Sequence, residues 1–293
     1  MTKSLAVIET NLYPYQLVVE QEGEYWTIPG IATLAEAMQL RLEELRKAVE
    51  GPVGDKVVGT LKGPVSPEIE IWGAGVTYLR SRDARKEESG VPDVYQRVYE
   101  ADRPELFLKS SAVRTVGTGE NIGIRADCAA SVPEPEVAII VNIFQEVIGL
   151  TICNDVTART IEGVNPLYLS QAKIYVGSNA LGPVIKPIWQ IASISDIGIS
   201  ASITRDAQVI WEAQTSLSAL HRTFEDLVSY LFRCQVFPHG VILSTGTGIV
   251  PPMEIALQHG DVVAIKVDEI GTLSNTVALI PENSHQLSLG FRA

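Results

Sequence analysis

Ser131-Val132-Pro133-Glu134-Pro135-Glu136-Val137-Ala138 runs on through an apolar stretch to Val141, and a second apolar run, Val147 to Cys153, ends on Asn154-Asp155. Runs of this length, rich in Val and Ile, read as strands. Side chains of a strand repeat every second residue, so Glu134 and Glu136 project from one face. Two carboxylates on one face repel unless a cation sits between them or one keeps its proton. Asp155 brings a third carboxylate. Three hard oxygen ligands with no nearby His suit Mg²⁺ or Mn²⁺ better than Zn²⁺. Taken alone, Glu-x-Glu is better explained as the solvated edge of a strand, because acidic residues are common on surfaces. The motifs that follow decide against that explanation.

The β signature continues in short runs at 183–187, 199–204, 208–212 and 262–267. One amphipathic helix intrudes: Ser216 to Phe232 carries Leu217, Leu220, Phe224, Leu227, Val228, Leu231 and Phe232 on one stripe. Residues 1–65 read as a small separate α+β unit. Leu17–Glu20 and Tyr25–Ile28 flank the turn-prone Glu22-Gly23-Glu24, a hairpin signature, and Leu34 to Val49 has apolar residues at helical spacing. A linker rich in Gly, Pro and Lys, Gly51 to Pro67, leads into a larger unit, 66–293. There Ile69–Trp72 is a strand candidate and the charged Ser81–Ser89 a helix candidate. The class is mainly β with α (α+β), and many strands with few helices point to a closed or rolled β core.

A chain of 293 residues with 46% hydrophobic residues sustains a large core. Its net charge of −12 argues against a nucleic-acid partner, which needs a basic patch. An anionic substrate then needs local Lys, Arg or a metal to reverse the field. Three cysteines without C-x-x-C spacing give neither a disulfide framework nor a zinc cage; buried reduced thiols of a cytoplasmic protein are expected. The N-terminus lacks an apolar export core before Glu9, and no apolar run nears the ~20 residues that span a membrane, so neither export nor membrane insertion is expected.

Further motifs follow in order: Asn154-Asp155-Val156-Thr157-Ala158-Arg159, Gln171-Ala172-Lys173, Ala180-Leu181-Gly182-Pro183 and Leu243-Ser244-Thr245-Gly246-Thr247-Gly248-Ile249-Val250. The succession E-x-E, N-D-x-(S/T)-x-R, K, G-P, T-G-T, from about Trp72 to Val277, resembles the fumarylacetoacetate hydrolase superfamily. Gly75-Val76-Thr77-Tyr78, Asn165–Leu169 with Gln171-Ala172-Lys173, and Gly246–Pro251 are similar to its branch that dehydrates 2-keto-3-deoxy sugar acids. The resemblance implies the family's β-roll for 66–293 beside the small N-terminal domain, and assembly as a homodimer or homotetramer. It also implies one divalent cation, Mg²⁺ or Mn²⁺, on Glu134, Glu136 and Asp155, and a small 2-keto acid as substrate.

By the same resemblance Lys173 pairs with a substrate carboxylate or enolate, although locally it reads as an exposed strand lysine. A partly desolvated lysine near a metal has a lowered pKa and can serve as a base. Arg159 becomes an active-site charge whose fork suits a substrate carboxylate or a carboxylate ligand equally well. Gly246 permits close backbone approach and Thr247 offers donors to a carboxylate, while Pro251-Pro252 blocks the helix that a phosphate loop requires. Lys109 matches a family lysine that ends a strand near the site, and Gln171 is expected among the substrate contacts. Asn154 is expected to orient its turn.

Hydrolytic members of the family carry N-Y-x-x-H-x-x-E, whose His–Glu pair activates water. Aligning Tyr78 on that tyrosine puts Ser81 at the His and Ala84 at the Glu, while His221, His239, His259 and His285 all lie late in the chain. The hydrolytic base is missing, which favours lyase chemistry through an enolate. Glu87 or Glu88 could act at the leaving hydroxyl. The expected activity is metal-dependent dehydration of a 2-keto-3-deoxy sugar acid without a redox cofactor. Hydrolysis of an acylpyruvate or 2,4-diketo acid and decarboxylation of oxaloacetate are the enzymatic alternatives; a metal-stabilised interaction module is the non-enzymatic one.

Overall fold

The computed structural model describes residues 2–88 and 92–283, apart from the side chains of 84–88 and 92. The chain begins with β1 (Ser4–Glu9), β2 (Gln16–Gln21), β3 (Glu24–Thr27), α1 (Leu34–Ala37), α2 (Leu42–Glu50), β4 (Lys56–Val57) and β5 (Thr60–Lys62). Then come β6 (Glu70–Gly75), α3 (Leu79–Glu88), α4 (Pro92–Glu100), β7 (Glu105–Ser111), β8 (Thr115–Val116) and β9 (Asn121–Arg125). The central strands β10 (Pro135–Val141) and β11 (Val147–Asp155) are followed by α5 (Arg159–Val164), α6 (Leu169–Lys173) and β12 (Asn179–Pro187). The chain continues with β13 (Gly198–Arg205), β14 (Gln208–Ser216), α7 (Phe224–Leu231), β15 (Val241–Thr247), β16 (Val262–Val267) and β17 (Gly271–Ile280).

Among the described residues these strands form two sheets. The larger has twelve strands, ordered β4-β3-β2-β1-β12-β11-β10-β15-β6-β7, with β5 on β1 and β8 on β12. The smaller runs β14-β13-β16-β17-β9. The central strands are apolar on both faces because both faces are covered. Val137, Ile139 and Val141 pack toward the second sheet with Ile199, Ile203 and Val263. Ala138 and Ile140 pack toward α1 and α2 with Leu34, Met38 and Leu45. Each fully buried aliphatic side chain contributes about 1.5–3 kcal/mol. β1 continues the large sheet by pairing with β12, Leu5 opposite Ile185, so residues 1–65 share a sheet and an apolar cluster with later residues.

Two helices differ from their sequence reading. The stretch 34–49 is broken into α1 and α2, because Arg41 and Glu44 form a second helix start: Arg41 N donates to Glu44 Oε2 at 3.0 Å. The apolar stripe continues across the break, since both pieces cover the same sheet face. The helix expected over 216–232 begins only at Phe224, where Thr223 caps it through Asp226 N. Ser216 instead completes β14 opposite Gly198, and Leu217 reaches the core from a short 3₁₀ turn. The expected linker contains β4 and β5. Of the three thiols, expected to be buried, only Cys153 is: Cys128 is half-buried and Cys234 exposed, all free. No helix among the described residues is long and apolar enough to cross a membrane.

Candidate active site

The β10–β11 register builds the cluster that the opening motif announced. Glu136 pairs with Cys153, and Asp155 N donates to Glu134 O at 3.0 Å, so Asp155 stands opposite Glu134. Carboxylate oxygens of Glu134, Glu136 and Asp155 lie within 4.8 Å of one another, and each residue is 2% exposed. Ser244 Oγ and Gly246 N, the latter at 2.8 Å, both donate to Glu136 Oε2 and orient its carboxylate. Burial, then the charges of Asp155 and Glu134, push Glu136 up to about 8. Three crowded carboxylates, one of them holding on to a proton, are a donor set that fits a hard divalent cation.

Three buried cations stand against these carboxylates. Lys173 Nζ lies 2.8 Å from both Glu134 Oε2 and Asp155 Oδ2 and donates to Thr157 Oγ1 at 2.6 Å. Its ammonium also sits 5.6 Å from the centre of the Phe107 ring. Lys109 Nζ, fully buried, is 2.7 Å from Asp155 Oδ1 and donates to the carbonyls of Lys173 and Val156. Burial pushes its ammonium pKa down, and Asp155 partly opposes that. Arg159 reaches Glu134 Oε1 with one nitrogen and Glu162 Oε2 with another, both at 2.8 Å. Removing one member of such a buried network costs about 3–5 kcal/mol, because a charge is left without its partner.

Residues 70–278 match the model of the fumarylacetoacetate (FAA) hydrolase C-terminal family. The chain belongs to this family. A probable 2-keto-3-deoxyxylonate dehydratase of Haloferax volcanii is 45% identical over 217 residues, 74% of each chain. A 2-dehydro-3-deoxy-D-arabinonate dehydratase of Saccharolobus solfataricus is 39% identical over 218 residues, 73% of each chain. A solved 2-keto-3-deoxy-D-arabinonate dehydratase complexed with magnesium and 2,5-dioxopentanoate superposes with a TM-score of 0.81 at 31% identity, covering 96% of this chain and 100% of that one. The mixed sheets with few helices are thus the family's α+β fold.

Glu134, Glu136, Asp155, Lys173, Gly246 and Thr247, all expected at a family site, line one narrow cavity. The Thr247 hydroxyl donates within its own loop, to Ile249 O at 2.8 Å. Lys173 ends α6 and is 1% exposed, not on an open strand. Lys109 and Arg159 pair with Asp155 and Glu134 and are not among the residues lining the cavity. Gln171, expected to contact substrate, is exposed and does not line the cavity, since two residues along α6 turn it away from Lys173. Glu87 and Glu88 fall in α3, but their side chains lie outside the described residues, as does that of Ala84. Ser81, expected where hydrolytic members of the family carry their His, does line the cavity. His221, His239 and His259 are exposed and absent from its walls, and His285 lies outside the described residues. Asn154 is buried on the opposite face of β11 from Asp155.

Two carboxylates of the cavity wall escaped the sequence reading, Glu105 and Glu162. Glu162 had a readable signal: it lies one helical turn after Arg159, the spacing of a paired charge. Glu105 had none, because β7 reaches the site through pairing with β6. Gly75, its partner there, makes room for it: a Cβ on Gly75 would stand 2.0 Å from Glu105 Oε2.

Proposed function

We propose that this chain is a divalent-metal-dependent hydro-lyase that removes water from a 2-keto-3-deoxy sugar acid, a 2-keto-3-deoxypentonate giving 2,5-dioxopentanoate. The observation that carries the reading is the convergence of Glu134, Glu136 and Asp155 with Lys173 at 2.8 Å. The dehydratase relatives and the magnesium and product held by the solved neighbour support it. Glu134, Glu136 and Asp155 hold the cation, Mg²⁺ first and Mn²⁺ as the alternative. Bound there, it supplies Lewis-acid polarisation of the chelated 2-keto acid, which acidifies the C3 protons.

The protein's own groups then move protons. Lys173, whose Nζ lies 2.8 Å from both Glu134 and Asp155, takes one from C3 as the general base. The C3 electron pair is delocalised onto the C2 oxygen as an enolate, which the spent Lys173 ammonium pairs with. Collapse of the enolate forms the C3–C4 double bond and expels the C4 hydroxyl. Glu105, on the cavity wall, delivers the proton that makes it water. For a five-carbon substrate the product then tautomerises to the 5-aldehyde. No electron acceptor is consumed. Arg159 and Lys109 hold carboxylates in place, and Gly246 and Thr247 border the substrate.

The same reading places the enzyme in the cytoplasm as a homodimer or homotetramer. Val164, Leu167 and Tyr168, exposed in one segment, are surface that assembly would cover. The test is incubation of purified protein and Mg²⁺ with a panel of 2-keto-3-deoxy acids, reading loss of water by mass spectrometry. Water loss that stops with EDTA is expected. Faster cleavage of an acylpyruvate or decarboxylation of oxaloacetate than dehydration of every sugar acid would overturn the reading.

A further inference from the structure

The segment Gly75-Val76-Thr77-Tyr78 carries two costs that its packing does not explain. Val76 has φ 54°, a left-handed conformation that a β-branched residue rarely adopts. Tyr78 is 1% exposed, and among the described residues its hydroxyl has no hydrogen-bond partner. A native fold rarely tolerates either, and strain and orphaned polar atoms gather where a ligand completes the site. Other buried polar atoms lack partners, the Tyr175 hydroxyl among them, but they do not share a strained, cavity-lining segment.

The place of the segment gives both features a direction. Gly75 and Val76 line the cavity beside Glu136, Gly246 and Thr247. Thr77 Oγ1 donates to Thr245 O at 2.6 Å, which straps the segment to the T-G-T loop. The Tyr78 ring lies against Gly248, where a Cβ would stand 2.8 Å from Cδ1. Burial, with Glu136 as the charged group acting on it, pushes the phenol pKa up, so the hydroxyl keeps its proton as a donor.

We propose that the Tyr78 hydroxyl is a ligand-binding group, donating a hydrogen bond to an anionic oxygen of the keto acid seated beside Glu136. This deepens the dehydratase reading and rests on it only for the identity of the ligand. Val76 bends the chain into the position from which Tyr78 reaches that oxygen. Tyr78→Phe keeps the ring against Gly248 and deletes only the donor.

The probe is oxalate with Mg²⁺, since its adjacent carboxylates reproduce the paired oxygens of a keto acid and its enolate. Calorimetric titration is expected to show oxalate binding at least about tenfold weaker in Tyr78→Phe, the scale of one lost hydrogen bond. The melting temperature of the metal-free variant should equal or exceed that of the parent, because an unpartnered buried hydroxyl is removed. A melting temperature several degrees lower would show that the hydroxyl bonds within the fold and would overturn the proposal. So would oxalate affinity unchanged by the substitution, or no oxalate binding by the parent protein. If no sugar acid is dehydrated, the dehydratase reading fails, and the oxalate comparison still decides the role of Tyr78.

Discussion

At the scale of single residues, Glu136 decides how the site responds to pH. Its carboxyl is raised to about 8 by burial, Asp155 and Glu134, against about 4.5 in the unfolded chain. Between those values the folded state binds more protons than the unfolded one. The contribution of Glu136 to the stability of the metal-free protein is therefore fully present below the window and is lost as pH rises through it. A divalent cation replaces that proton, so Mg²⁺ affinity should climb between about pH 6 and about pH 8. Titration calorimetry across that range checks this, and a flat profile contradicts it. Glu136→Gln should abolish Mg²⁺ binding while raising the melting temperature of the metal-free protein at about pH 8, because the charge that resists burial is gone. Lys173 carries a second prediction. Lys173→Met leaves Glu134 and Asp155 short of a cation, so stability should drop by about 3–5 kcal/mol. Exchange of the substrate's C3 protons with deuterated solvent should cease in the folded variant. Exchange that persists reassigns the base.

At the scale of elements, the ends of β6 and β15 are held together by what two glycines lack. Gly246 has φ 93°, and a Cβ there would stand 1.9 Å from Thr77 Oγ1 and 2.9 Å from Ala74 O. Its N–H also orients Glu136. Gly246→Ala should therefore weaken Mg²⁺ binding and activity together. Gly75→Ala acts differently. Its Cβ displaces the Glu105 carboxyl and no metal ligand, so Mg²⁺ affinity should hold while kcat falls by about 10²-fold or more, the scale of one general acid. Calorimetry and steady-state kinetics on both variants separate the two roles; equal losses of metal affinity would mean that Glu105 does not act independently of the cation. These strand ends also show the limits of sequence legibility. Glu134, Glu136 and Asp155 were readable because period-two spacing and the two apolar runs around them are local. Glu105 was not, because its place comes from a pairing between strands whose own sequences say nothing of each other. The broken helix at Met38–Arg41 failed for a related reason: the apolar stripe satisfies the same sheet face whether or not the helix is continuous.

At the scale of the whole molecule, residues 1–65 extend a sheet that the rest of the chain begins. Leu5, Val7, Leu17 and Val19 are fully buried in one cluster with Ile140, Leu181 and Ile185. A chain starting at residue 66 would expose that face and the edge of β12, so it is expected to aggregate or melt without a cooperative transition. A sharp melt and monodisperse gel filtration would instead make residues 66–293 a unit that folds by itself. Leu5→Ala in the full chain should cost about 2–5 kcal/mol, read from denaturant midpoints. The sequence by itself determined the family, the α+β class and the three carboxylates. Each of those rests on residues near one another in the chain or on an ordered set of motifs. Only the tertiary structure decided that Lys109 and Arg159 brace carboxylates, that Gln171 faces solvent, and that Glu105 and Glu162 complete the wall. A side chain's partner 25 residues away, as for Arg159 and Glu134, or 46 away, as for Lys109 and Asp155, depends on strand register and helix phase, and these are set by how the whole core packs.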